Sequence, residues 1–204
     1  MANHLPAADS RAKWNQRHQQ RSMPVPACRV LQEHCDLLPA SGTALDLACG
    51  LGGNAVLLAK SGLSCAALDI SDIALIRLHD YAQEQKLSIH TQLANIENDD
   101  FTLAPQCYDV IVVSYFLYRP LFSALAAALK PGGLLFYQTF VNAGVKDQAG
   151  PKNKSFYLSE RELLSQFQNL DIRYYCERAN DDGLNASTVA ELIACKPNAL
   201  KSLQ

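Results

Sequence analysis

At 204 residues, with a formal net charge of −2 and 49% apolar residues, the chain has the size and make-up of one globular domain that buries a core. The charge balance excludes the basic footprint of a nucleic-acid binder. No apolar run approaches the roughly 20 residues that span a bilayer, and the polar start lacks the apolar centre of a signal peptide, so a cytoplasmic protein without nucleic-acid or membrane partners is expected. The cysteines, Cys28, Cys35, Cys49, Cys65, Cys107, Cys176 and Cys195, are scattered, form no C-x-x-C and sit partly in apolar runs, which suits a reducing compartment. The histidines show no metal-ligand spacing, so no metal is expected.

Residues 9–20 read as a polar helical arm. "PVPACRVLQEHCDLL" follows as a helix started by Pro24 and Pro26, with Val30, Leu31, Leu37 and Leu38 on one face. "TALDLAC" is the first strand. "GNAVLLAKSG" is a short helix closed by Gly62, and "LSCAALDI" the second strand. "SDIALIRLHDYAQEQK" is a helix with Ser71 as N-cap, followed by the strands "LSIHTQLANI" and "CYDVIVVSYF". "RPLFSALAAALKPGG" reads as a helix with Pro120 in its first turn and Gly132 past its end, and "LLFYQTFV" as the fifth strand. Strands alternating with helices imply a doubly wound parallel sheet covered on both faces.

The last quarter breaks that rhythm. "NAGVKDQAGPKNKSF" is a long polar loop, in which Lys152 and Lys154 belong either to a lid or to a solvated linker. "LSERELLSQF" is a helix with a Ser159/Glu162 capping box, and "LDIRYYCERA" and "STVAELIACKP" form a hairpin around "NDDGLN". A hairpin requires at least one antiparallel strand in the sheet.

The chemistry concentrates in "ALDLACGLGGNA". Gly50, Gly52 and Ala55 match G-x-G-x-x-G/A, a spacing that lets a ligand approach the backbone and meet the free amides of the next helix. That much is shared by nicotinamide, flavin and adenosyl-methionine sites. Asp46, four residues before Gly50, would favour a cationic ligand group over a pyrophosphate, directly or through water; its alternative is to brace the loop by accepting amide bonds. Asp69 ends the second strand 17 residues beyond Gly52, where a carboxylate can hold both hydroxyls of a ribose or cap the next helix.

The run "LDLACGLGGNAVLLAKSG…CAALDIS…ANIE…YDVIVVSYF…LKPGGLLFYQTF" resembles the class I S-adenosylmethionine-dependent methyltransferases over about residues 43–141. The antiparallel ending extends the likeness to nearly the whole chain. "CGLGGNAVLLA" is most similar to a bacterial branch that includes the tellurite-resistance methyltransferases. "KWNQRH" resembles that branch's W-D-x-R-Y element, with Asn15 and His18 as departures, and "FYLSERELLSQF…YYCERA" resembles its C-terminal helix and strand. The resemblance implies a seven-stranded Rossmann-like α/β sheet with a C-terminal antiparallel hairpin. It also implies a helical arm or lid over residues 1–40, a cofactor-binding domain over 41–204, and S-adenosylmethionine as cofactor. Position by position, it implies that Asp46, Ala48, Gly50, Gly52 and Asn54 line the methionine end. Asp69 would hold the ribose, Ile70 would lie on the adenine face, and Asn95, where Asp is commoner, would meet the adenine edge with Ile96. Ser114 and Tyr115 would lie beside the sulfonium. Apart from the resemblance, Trp14, with Arg17 close by, either caps the cofactor site from the arm or anchors the arm to the body.

Methyl transfer asks the protein mainly to hold a nucleophile in line and exclude water; nitrogen and oxygen nucleophiles usually also need a base. "SYFL" stands where amino-directed enzymes carry N/D-P-P-Y/F, so a small-molecule acceptor is expected, a soft anion, thiol or chalcogen oxyanion. Tyr115, Tyr118 and Arg119 are the catalytic candidates, with Gln138 and Glu177 behind them. Arg119 would orient an anion or simply be solvated, and the two tyrosines would serve catalysis or packing. A NAD(P)-dependent oxidoreductase and a non-catalytic cofactor-binding protein are the alternatives.

Overall fold

The computed structural model describes residues 7–142, 150–180 and 187–198. Helix α1 spans Ala7–Gln19 and α2 Arg29–Glu33. The sheet then begins with β1 (Gly42–Leu47), α3 (Gly53–Lys60), β2 (Leu63–Asp69), α4 (Asp72–Gln85), β3 (Ile89–Leu93) and β4 (Tyr108–Ser114). Helix α5 (Phe122–Ala128), β5 (Leu129–Val141), α6 (Glu162–Gln166), β6 (Asp171–Asn180) and β7 (Ser187–Cys195) complete it.

The strands form one seven-stranded sheet in the order β3-β2-β1-β4-β5-β7-β6. The pairs among β1 to β5 are parallel, while β7 runs antiparallel to both β5 and β6. The expected doubly wound sheet with an antiparallel finish is therefore the observed one. Residues 181–185 of the expected hairpin turn, and 143–149 of the expected lid loop, lie outside the described residues.

Each face of the sheet carries its own core. Leu45, Leu47, Ile111, Val113, Leu135 and Tyr137 pack with Phe122 and Leu125 of α5 and Leu163 of α6. Ala44, Val110, Val112, Phe136 and Ile193 face the other way, onto Val30 and Leu31 of α2 and Ala55 and Leu58 of α3. Strand alternation produces this division, since successive side chains point to opposite faces.

Three expected helices are shorter than their sequence patterns. Over 24–38 only α2 and a 3-10 turn at Cys35–Leu37 form, and the chain turns at His34, whose ring lies against Tyr174 at 4.5 Å. After Tyr118 a 3-10 turn precedes α5, which stops at Ala128 rather than running on to Gly132. Leu129 instead pairs with Tyr108 as β5 begins, and Lys130 is drawn to Asp109 at 2.7 Å. The Ser159/Glu162 box is half formed: the Ser159 N–H donates to Glu162 Oε2 at 2.8 Å, but Arg161, at φ 57°, intervenes before α6. No helix among the described residues is long and apolar enough to cross a membrane.

Candidate functional site

The strand order reverses between β1 and β4, and in open α/β sheets the crevice outside the carboxyl ends at such a point receives ligands. The chain leaves β1 there through three left-handed residues, Ala48 (φ 56°), Gly50 (φ 53°) and Gly52 (φ 76°), before α3 starts at Gly53. A β-carbon on Gly52 would sit 2.4 Å from Leu78 of α4, so glycine here serves close packing as well as the turn.

Asp46 is fully buried beneath this loop and accepts from the Ala55 N–H at 3.0 Å and from Asn54 Nδ2 at 3.1 Å. Burial pushes its carboxyl up to about 7, against the pull of those two bonds. Asn54 also accepts from the Cys28 N–H at 2.8 Å and donates to Ser114 Oγ at 2.9 Å. Its carboxamide thus ties together β1, β4 and the segment ahead of α2. Two cysteines border this region, Cys28 and Cys49, and burial pushes both thiols up, Cys28 to about 12.

Asp69 accepts from the Gly50 N–H at 2.7 Å and from the Ser71 N–H at 2.8 Å, so it braces the glycine loop and the entry to α4 together. Ser71 caps α4 by accepting from the Ala74 N–H. Its hydroxyl also donates to Asn15 Oδ1 at 2.7 Å, and Asn15 Nδ2 donates to Asp72 at 2.7 Å. Arg11 pairs with Asp72 at 2.9 Å, and Arg77 donates to the His18 carbonyl. These contacts lay α1 across α4. His18 is thereby buried against the glycine loop, and a β-carbon on Gly50 would approach its Cε1 to 3.0 Å. His18 stacks with Trp14 at 5.7 Å, its Nδ1 has no hydrogen-bond partner, and burial lowers its tendency to protonate. Arg17 is exposed and lies 5.1 Å from the centre of the Trp14 ring.

The remaining candidates separate. Ile70 is half-buried after β2, Ile96 is buried in the α5-side core, and Asn95 accepts from the Glu97 N–H at 3.3 Å. Tyr115 has φ 53° and is 43% exposed, with its ring 5.2 Å from Phe140. Its hydroxyl receives Gln138 Nε2 at 2.8 Å. Tyr118 is half-buried against the α5-side core. Arg119 grips Glu162 with Nε at 2.6 Å and Nη2 at 2.9 Å, and donates to the carbonyls of Ser155 and Tyr157 at 3.0 Å each. These bonds occupy most of its fork in fastening the segment before α6, and not in facing a ligand. Glu177 accepts from the Arg161 N–H and from the Tyr175 hydroxyl. Among the described residues no group of His, Cys, Asp and Glu is arranged to hold a metal ion.

Sequence reasoning passed over His18 and Asn15 as mere departures from a motif, and it gave Gln138 no partner. The available signal was a polar residue inside an apolar strand: Gln138 in "LLFYQTFV" and Glu191 in "STVAELIAC", both buried and directly paired across β5 and β7. Glu191 binds Arg29 at 2.7 Å and Arg178 at 2.6 Å.

Residues 44–133 match a family model described as a methyltransferase domain. None of the curated proteins compared matches the sequence. Among solved structures, TehB from Haemophilus influenzae superposes with a TM-score of 0.73 at 19% identity, covering 90% of this chain and 67% of that one. An S-adenosylmethionine-dependent methyltransferase from Methanosarcina mazei gives 0.65 at 16% identity, with 85% and 100% covered. A structure described as the conversion of a disulfide bond into a thioacetal group during echinomycin biosynthesis gives 0.68 at 17%, with 95% and 96% covered. The structural likenesses speak to the fold. The domain match is to a methyltransferase domain and spans a little under half of the chain.

Proposed function

We propose that this protein is an S-adenosylmethionine-dependent methyltransferase acting on a small acceptor that brings its own reactive lone pair, a thiolate, another soft anion or a chalcogen oxyanion. The observation that carries the reading lies at the end of β4. Ser114 is bonded to the carboxamide of Asn54 and Tyr115 to that of Gln138, and a carboxamide removes no proton from a nucleophile. The resemblance of "CGLGGNAVLLA" to the tellurite-resistance branch points the same way. With the methyltransferase-domain match, the glycine spacing no longer favours an oxidoreductase.

The residues at the crevice fit the cofactor. Carboxylates end β1 and β2, Gly50 and Gly52 open the backbone, and His18 Nδ1 is an orphaned buried atom beside them. Asp69 would hold the ribose hydroxyls, with Ile70, Asn95 and Ile96 toward the base. Ala48, Gly50, Gly52 and Asn54 would line the methionine end, with Asp46 supplying negative charge from beneath. Trp14 and Arg17 would close the site from α1, within an arm of residues 1–40. When bound, S-adenosylmethionine supplies a methyl group on a cationic sulfur, to which the electron pair of the carbon–sulfur bond returns. Tyr115 and Phe140, their rings 5.2 Å apart, would wall the approach on the β4 side.

Calorimetry with S-adenosylhomocysteine should show binding. A screen with methyl-labelled cofactor over thiols, chalcogen oxyanions, amines and carboxylic acids should label the first two classes. Transfer confined to amines would overturn the acceptor assignment.

A further inference from the structure

Helix α1 lies across α4 without an apolar anchor. Among its described side chains only His18 is buried, and Trp14, its one large apolar residue, is 36% exposed. The bonds that hold it are polar: Arg11 and Asn15 to Asp72, Ser71 to Asn15, and Arg77 to the His18 carbonyl. Contacts of this kind add little net stability each, so a helix resting on them opens readily. What it covers is the glycine loop. The His18 ring meets Gly50, where a β-carbon would come within 3.0 Å of Cε1, and Trp14 stacks on that ring at 5.7 Å.

This seat accepts one charge state of the imidazole. Nδ1 is buried and has no partner among the described residues. A neutral ring with its proton on Nε2 leaves an acceptor idle there, a small cost. A protonated ring carries a proton on both nitrogens, and its Nδ1–H would be a buried, charged donor with nothing to receive it. Burial opposes the proton most. Among the charged groups facing the ring, Asp69 at the end of β2 favours it, while Arg21 and Arg17, from α1 and the residues after it, and Arg77 from α4 oppose it.

We infer that α1 is a strap across the glycine loop, latched by neutral His18 and released when that imidazole takes a proton. The released state binds the extra proton, so docking weakens as pH falls below the ordinary histidine value of 6.5, by up to about tenfold per pH unit. Asp72 does not share this titration, because the bonds from Arg11 and Asn15 hold its carboxyl far below the usual range. The latch is a property of α1 and the loop, and holds whatever ligand the loop receives.

Trp14 is the chain's only tryptophan, so its fluorescence anisotropy reads the arm directly on the full chain. Between pH 8 and pH 5 the anisotropy should fall in a single one-proton step with its midpoint below 6.5, while urea still unfolds the body cooperatively at the lower pH. H18F keeps a ring against Trp14 but cannot titrate, and should hold the high anisotropy throughout. A flat signal in the wild type, or the same step in H18F, would overturn the inference. Should H18F lie undocked even at pH 8, proton NMR of the wild-type His18 imidazole decides. Its titration must share the midpoint of the Trp14 step, and a separate midpoint would break the latch.

Discussion

Beneath α5 and α6 the sheet presents Leu45, Leu47, Ile111, Val113, Leu135 and Tyr137, whereas beneath α2 and α3 the same strands present Asp46, Ser114, Gln138 and, on β7, Glu191. Both faces are sealed, but only the first is sealed by apolar contacts throughout. On the second, the row Ser114, Gln138, Glu191 runs directly across β4, β5 and β7. Buried polar groups cost stability unless each is bonded, so a continuous row of them marks where the fold gives up hydrophobic gain for placement of donors and charges. The apolar face holds the sheet together; the polar face arranges its carboxyl edge.

Removing the charge at the end of that row is the hardest blow to the polar face. Glu191 is fully buried between Arg29 and Arg178, and Arg29 Nη2 already lacks a partner. Glu191→Ala should lower the unfolding free energy by about 3 kcal/mol, read from urea denaturation, since it strands two guanidinium groups. A loss no greater than that of an exposed pair would show the network to be ornamental.

Asp46 sharpens the comparison through pH. Its carboxyl sits near 7 when folded against an ordinary 3.8, so the unfolded chain ionises first as pH rises. Between those values the folded state holds the extra proton, and stability falls as pH rises through that window. The gap between wild type and Asp46→Asn should therefore move in favour of the variant by about 3 kcal/mol from pH 4 to pH 8. A gap that stays flat over that range would mean the carboxylate is compensated in a way its two bonds do not reveal.

Asp69, less isolated, should matter for binding. Asp69→Ala should weaken S-adenosylhomocysteine by on the order of 1–3 kcal/mol, and an unchanged dissociation constant would detach this carboxylate from the ribose. The smallest effect belongs to the apolar side. Arg119→Ala releases Glu162 and the carbonyls of Ser155 and Tyr157, and should cost about 1 kcal/mol of stability with cofactor affinity untouched. If it raised the acceptor's Michaelis constant alone, the guanidinium would be reading substrate after all.

The parallel core was legible because its signals are local: glycine turns, alternating apolar runs and Pro120 each act within a few residues. The antiparallel finish was legible because a hairpin forces it. The ends of elements were not. "KPGG" looks like a helix stop, yet Lys130 answers to Asp109, and β5 begins while the local pattern still favours α5. The site was half legible for the same reason. Glycine spacing and strand-end acids announce themselves, whereas Gln138 is oriented by the amide of Val30 and His18 is carried onto Gly50 by an arm docked on Asp72. Nothing near either residue in the sequence encodes those meetings.

The two buried cysteines beside the glycine loop have a chemical consequence of their own. A sulfonium is an alkylating agent, and any thiolate within reach of it competes with the acceptor. Only the thiolate is strongly nucleophilic, and burial holds Cys28 and Cys49 as thiols at neutral pH. On the methyl-transfer reading, sulfur held in this form can lie beside the glycine loop without competing with the acceptor for the methyl group.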